Sequence, residues 1–325
     1  MRGTRRTVLK RFCAGAMGAL APMVHAAADW PARPVRVIVP FTPGGSTDIA
    51  ARLAAEGMGR ALGQAFVVDN RPGAGGNLGL EALARAEPDG YTIGILTTAH
   101  PINSWLYKRP GYDLKSSFAP IGFLQEGPIM LVAHPSLPVS SVAELIAYAK
   151  ARPNALNFSS SGTGNSTHMA GELFCHQAQV KMTHVPYKGS APAIADTIAG
   201  VCELSLDTMI SALPHVKAGR LKALAVTTAA RSPMTPDVPS MSETIAGFEV
   251  AAWNGMVAPA GTPRLVIDRL HAAMVEALAA PAVVKRFGEM GVNSRAMSPE
   301  QFHRFILQET DMWGKTVRAA HISID

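Results

Sequence analysis

The chain has 325 residues, 48% of them hydrophobic and 17% charged, with a formal net charge of +6. That length supports two domains with proper cores, and past the first 28 residues there is no 18-residue apolar run to cross a bilayer. Five basic and no acidic residues fall within residues 1–28, so the remainder is nearly neutral and lacks the basic, aromatic-laced cluster of a nucleic-acid binder.

Residues 1–28 read as an export signal. Arg2, Arg5, Arg6, Lys10 and Arg11 precede an apolar segment from Phe12 to Val24, and small residues offer cleavage after Ala26 or Ala28. TRRTVLK is compatible with twin-arginine export and the whole segment with the ordinary Sec route. Cys13 stands too early for a lipoprotein cysteine. The mature chain is therefore expected to be exported to an oxidising compartment, with Cys175 and Cys202 either paired or buried as free thiols.

Strands and helices then alternate. PVRVIVPF (34–41) reads as a buried strand, Ser46 to Leu62 as a helix, and AFVVDN (65–70) and YTIGILTT (91–98) as strands. IGFLQEGPIMLVAH (121–134) reads as two strands broken at Gly127-Pro128. Ser140-Ser141 caps a helix through Lys150. LNFSSS (156–161) and MTHVPY (182–187) are extended, with a helix from near Ser166 between them. Ser190 to Ala199 is helical, and VCELSLD (201–207), LKALAVTT (221–228) and FEVAAWNGMVAP (248–259) are strands. Helices over Pro263 to Ala280 and Pro299 to Ala319 close the chain. This alternation predicts an α/β protein with parallel sheets covered by helices, divided near Gly127 and across residues 229–249.

Two motifs carry the chemistry. FTPGGSTDIAAR and SSSGTGNSTHMAGE each place glycines and hydroxyls between a strand end and a helix start, where free N–H groups and the helix dipole favour an anion. Neither has the lysine of a phosphate loop, and GTGNST has Thr167 where a dinucleotide fingerprint needs its third glycine. Neutral donors suit a carboxylate held reversibly. Asp48 sits in a first helical turn and complements the dipole there. Asp207 ends an apolar strand, where it either meets a ligand amine or hydroxyl or caps the next helix. His100 either faces a cleft or simply opens a helix. A hydrolase reading through Ser166 and His168 lacks a nucleophile elbow and the spacing of a triad, and His168, His176 and His184 lack compact metal-ligand spacing.

The stretches WPARPVRVIVPFTPGGSTDIAARLAAEGM, NRPGAGGNLGLEALARAEPDGYTIGI, GTGNSTHMAGELF, HVPYKGSAPAIADTIAG, GRLKALAVTTAARSP and WNGMVAPAGTP, in that order, resemble the Bug-type periplasmic solute-binding proteins of tripartite tricarboxylate transporters. The resemblance implies a bilobal, type II periplasmic-binding-protein fold with two lobes joined by hinge strands: residues 29–127 and 250–325 in lobe I, 128–249 in lobe II. It implies no catalysis, no cofactor and no metal. It also implies a monomer that captures a small organic acid (a dicarboxylate, acidic amino acid or aromatic carboxylate) and passes it to inner-membrane permease subunits; a sensor docking on a receptor is the alternative. By the resemblance, the first-lobe loop is Phe41, Thr42, Gly44, Gly45, Ser46, Thr47 and Asp48, followed by Gly75 and Gly76. The second-lobe loop is Ser161, Gly164, Asn165, Ser166 and Thr167, with Pro186, Tyr187 and Asp207 as neighbours. Ser205 and Leu206, before Asp207, depart from the bulkier residues common in relatives, which bears on the distal end of the ligand.

Overall fold

A computed structural model describes residues 30–324; the expected export signal lies outside them. The strands are β1 (Val35–Val39), β2 (Phe66–Asn70), β3 (Thr92–Thr97), β4 (Phe118–Ala133), β5 (Asn157–Ser160), β6 (Thr183–Pro186), β7 (Leu204–Thr208), β8 (Lys222–Val226) and β9 (Ala251–Pro259). The α-helices are α1 (Ser46–Leu62), α2 (Asn77–Ala84), α3 (Ala99–Leu106), α4 (Val142–Ala151), α5 (Ser166–Ala178), α6 (Ser190–Ile198), α7 (Met209–Lys217), α8 (Arg264–Ala279), α9 (Pro281–Glu289) and α10 (Pro299–Ala319).

One lobe is built on the strand order β2-β1-β3-β9-β4, and the other on β7, β5 and β6 with the far end of β4, which also pairs β8. The expectation of parallel sheets holds only for β1 with β2 and β3, and for β5 with β6 and β7. Strands β4 and β9 run antiparallel to their neighbours, because they carry the chain between lobes instead of closing a strand–helix–strand unit. The buried runs of β1 and β3 fit strands covered on both faces.

Gly127-Pro128 is a second correction. Instead of two strands, β4 is continuous over 16 residues. Up to Pro128 its strand partner is β9, with a single bridge from Glu126 to Asn293 on the other side; from Ile129 it lies between β7 and β8. Pro128 stands at the change of sheets, on an edge, where a missing N–H leaves no ladder bond unmade. Pro186, at the end of edge strand β6, is tolerated for the same reason.

Each lobe has its own apolar core. Val37, Ile95 and Met256 pack beneath α1 and α8 in one, and Leu131, Phe158 and Leu206 centre the other. Helix α10 touches both: Phe302 and Ile306 join an aromatic cluster with Phe123 and Trp253, whereas Trp313 and Val317 reach the core around Phe158. Cys175 and Cys202 are free thiols, so of the two fates left open the paired one is not found. Burial pushes the Cys175 thiol up to about 12 and raises Cys202 as well.

Helices α1 and α8 meet through small residues, and a Cβ on Gly57 would stand 2.5 Å from Cβ of Ala277. Gly57→Val should therefore force the helices apart and lower the unfolding free energy by about 1–3 kcal/mol. A urea midpoint equal to that of the unaltered protein would show that this contact is loose.

Candidate functional site

The first glycine turn links β1 to α1. Gly44 has φ +77°, which glycine adopts without strain, and its N–H donates to Asp48 Oδ2 at 2.9 Å. Arg52 Nε donates to the same oxygen at 2.9 Å, and Asn70 Nδ2 donates to Asp48 Oδ1 at 2.9 Å and to the Phe41 carbonyl at 3.0 Å. Burial pushes the Asp48 carboxyl up, but the hydrogen bonds from Arg52, Gly44 and Asn70 outweigh it and hold its pKa below the usual value. Asp48 thus braces the turn from behind, while Phe41, Gly45, Ser46 and Thr47 present the turn to the cavity.

The second turn links β5 to α5 and is braced by neutral groups. Asn165 caps α5, its Oδ1 accepting from Ser166 N at 2.7 Å while its Nδ2 donates to Ser161 Oγ at 2.8 Å. Thr167 Oγ1 accepts from Ser161 N at 3.0 Å. Gly164 N donates to His168 Nδ1 at 3.2 Å, and His168 Nε2 lies 3.5 Å from Glu172. Ser166 Oγ donates to Asn165 Oδ1, so both members of the Ser166–His168 pair are engaged with other groups. Ser161, Asn165 and Ser166 face the cavity.

The cavity between these turns measures about 30 Å³, room for about two water molecules. Further walls come from Thr97 and Thr98 at the start of α3, Ser190 at the start of α6 and Thr208 before α7. Five helices (α1, α3, α5, α6 and α7) therefore begin at one small space. Each N-terminus contributes roughly half a positive charge through unpaired N–H groups, yet no charged side chain lines the wall. Gln125 of β4 and Trp253 and Asn254 of β9 form the floor. Motif reading along the chain pointed to the α3 and α7 starts only through His100 and Asp207, and it missed the wall residues Thr97, Thr98, Ser190 and Thr208 and the floor. The signal for α6 was present in Lys188-Gly189-Ser190, a third glycine–hydroxyl helix start; Gln125 and Asn254 had none, being single polar residues within apolar strands.

Other expected site residues lie elsewhere. Thr42, Gly44, Gly75 and Gly164 form the lips: Thr42 N donates to the Lys188 carbonyl across the cleft at 3.2 Å. A Cβ on Gly75 would meet the Thr163 carbonyl at 2.2 Å, and one on Gly164 would meet Asn103 Oδ1 at 2.0 Å. Gly76 packs on Phe41 and His100. His100 is fully buried as the second residue of α3; its Nδ1 accepts from Thr97 N at 2.9 Å, and burial lowers its pKa to about 4. Tyr187 donates to Asp196 at 2.6 Å, beside Pro186 and outside the wall. Asp207 is fully buried behind the wall, its Oδ1 accepting from Ser190 Oγ at 2.6 Å and Thr208 N at 2.7 Å. Burial raises its pKa to about 6, against the lowering effect of those bonds.

Two lobes, crossing strands and an anion-favouring cleft define a type II two-lobed α/β solute-binding protein. The chain matches the model of the tripartite tricarboxylate transporter family receptor, TctC, over residues 50–322, and it belongs to that family of periplasmic solute-binding proteins. It is similar to the periplasmic binding protein BugD, with 35% identity and a TM-score of 0.87 over 90% of this chain and 99% of BugD. Rpa4515 of R. palustris, solved with adipate, is 38% identical with a TM-score of 0.88, over 90% of this chain and 99% of its own. MatC from Rhodopseudomonas palustris, with bound malate, is 31% identical with a TM-score of 0.85, over 89% and 100%.

Two outcomes follow from this geometry. The folded-state pKa of Asp207 is raised, so its contribution to stability is full below about 3.8 and is lost as pH rises through about 6. The loss is on the order of 2–3 kcal/mol. Chemical unfolding between pH 4 and pH 7 should show this decline in the unaltered protein and a flatter profile in Asp207→Asn; parallel profiles would mean that Asp207 titrates normally. At the lips, a Cβ on Gly189 would stand 2.2 Å from Thr42 Oγ1. Gly189→Val should prop the cleft open and weaken ligand binding by roughly ten-fold, an overpacking cost of about 1.4 kcal/mol. In small-angle scattering the loaded variant should stay more expanded than the loaded parent; equal radii would show that closure does not pass through this contact.

Proposed function

We propose that this chain is an exported periplasmic receptor that captures a small carboxylate, foremost a dicarboxylate, and delivers it unaltered to a tripartite tricarboxylate-type permease. Residues 1–28 serve as its export signal. Residues 29–127 with 250–325 form one moving body and 128–249 the other, and the protein works as a monomer. The observation that carries the reading is the convergence of five helix starts on a wall without charged side chains. Such a wall attracts an anion through many weak, fixed donors and releases it when the lobes part. A lysine or arginine at the same place would hold the anion more tightly.

Gly45, Ser46 and Thr47 on one side and Ser161, Asn165 and Ser166 on the other hold the first carboxylate, with Phe41 as an apolar flank. Thr42, Gly44, Gly75 and Gly164 let the lips close, and Asp48, Gly76, Thr167, Pro186, Tyr187 and Asp207 support the frame. The lips touch across the cleft through Thr42 and Lys188, so the lobes must part to admit a ligand. The adipate and malate complexes of Rpa4515 and MatC favour the same ligand class. Non-enzymatic action is favoured because Ser166 and His168 are engaged with Asn165, Gly164 and Glu172.

Titration calorimetry of the chain lacking residues 1–28 against four- to six-carbon dicarboxylates tests the reading. At about 100 times its dissociation constant, a true ligand should also raise unfolding stability by roughly 2.7 kcal/mol. If no carboxylate in the series gives heat or stabilisation, carboxylate capture is wrong.

A further inference from the structure

We infer that Gln125 and Asn254 form a carboxamide pair on the hinge that receives the second carboxylate of the ligand and so makes the site prefer dicarboxylates to monocarboxylates. This rests on the carboxylate-binding function proposed above. The two residues are direct cross-strand partners in the antiparallel ladder of β4 and β9. Directly opposed residues share one face of a sheet, with Cβ atoms about 4.5–5.5 Å apart. Both side chains line the cavity floor, and both are buried, at 4% and 5% exposure.

Burial at that level calls for hydrogen-bond partners. Among the described residues none hydrogen-bonds Gln125 Oε1. Each carboxamide carries two N–H donors, and among the described residues no hydrogen bond withholds the NH2 group of Gln125, so the pair can offer N–H donors from both strands to one carboxylate. The neighbouring polar groups on the floor are committed elsewhere. Trp253 Nε1 donates to Glu309 Oε2 at 2.7 Å, and Thr98 Oγ1 accepts from Trp253 N at 2.9 Å. The turns before α1 and α5 account for one carboxylate on the cleft walls; the floor is where the rest of an elongated ligand ends. Neutral amides suffice for a second negative charge because the helix starts around the cavity already favour anions.

The test compares affinities for acids of equal chain length, succinate with butyrate and adipate with hexanoate, measured by calorimetry at pH 7. For the better-bound pair the parent should favour the dicarboxylate by at least roughly ten-fold, the size of one charge-assisted hydrogen bond. Gln125→Leu and Asn254→Leu should each reduce that ratio by about ten-fold, and Gln125→Glu should reverse the preference by setting like charges together. If a leucine variant does not fold, the near-isosteric Gln125→Glu and Asn254→Asp carry the same comparison. A ratio unchanged in the folded variants, or no preference in the parent, overturns the carboxamide pair while leaving carboxylate capture standing. A parent that binds none of the four acids overturns both.

Discussion

The free N–H groups at helix starts are the constraint around which this molecule is arranged. A helix leaves its first N–H groups without intrahelical partners, and burying several such ends together is unfavourable unless an acceptor arrives. Here five ends surround one cavity whose walls contain hydroxyls and amides but no charged side chain. Braces that could quench the field are held back from the wall. Asp48 is tied up by Gly44, Arg52 and Asn70, and Asp207 sits behind Ser190 and Thr208.

These two buried aspartates show how surroundings set the behaviour of one chemical group. Asp48 accepts from a guanidinium, an amide and a backbone N–H, and its charged form is favoured in spite of burial. Asp207 has only a hydroxyl and the Thr208 group on one oxygen, while its other oxygen has no partner among the described residues. Burial therefore dominates and the neutral form is favoured up to about pH 6. The first aspartate keeps a turn rigid; the second leaves the cleft with little added negative charge in mildly acid conditions.

Closure imposes a different requirement. The lips touch backbone to backbone through Thr42 and Lys188, and Gly75, Gly164 and Gly189 stand where a side chain would collide with the opposite lobe. Several glycines that resemble ligand contacts in the sequence therefore serve the approach of the lobes. Strand β4 runs through both lobes: its ladder with β9 ends at Pro128, and β7 and β8 take over from Ile129. Helix α10 adds a second connection, reaching both cores.

The local chemistry was legible in the sequence. Ser46–Leu62 and Pro299–Ala319 form helices with the bounds their caps and periodicity indicate, and the glycine–hydroxyl turns do precede helices, because turn and cap preferences act over a few residues. The missing lysine likewise identifies neutral donors from composition alone. Tertiary structure decided what depends on neighbours distant in the chain. The continuity of β4 through Gly127-Pro128 follows from an edge position that no local signal encodes. The separation of FTPGGST into cavity wall and lip follows from where Lys188 and Gly189 fall across the cleft. Gln125 and Asn254, 129 positions apart, face each other only because two antiparallel strands fix their register, and register is a property of the pair and not of either strand.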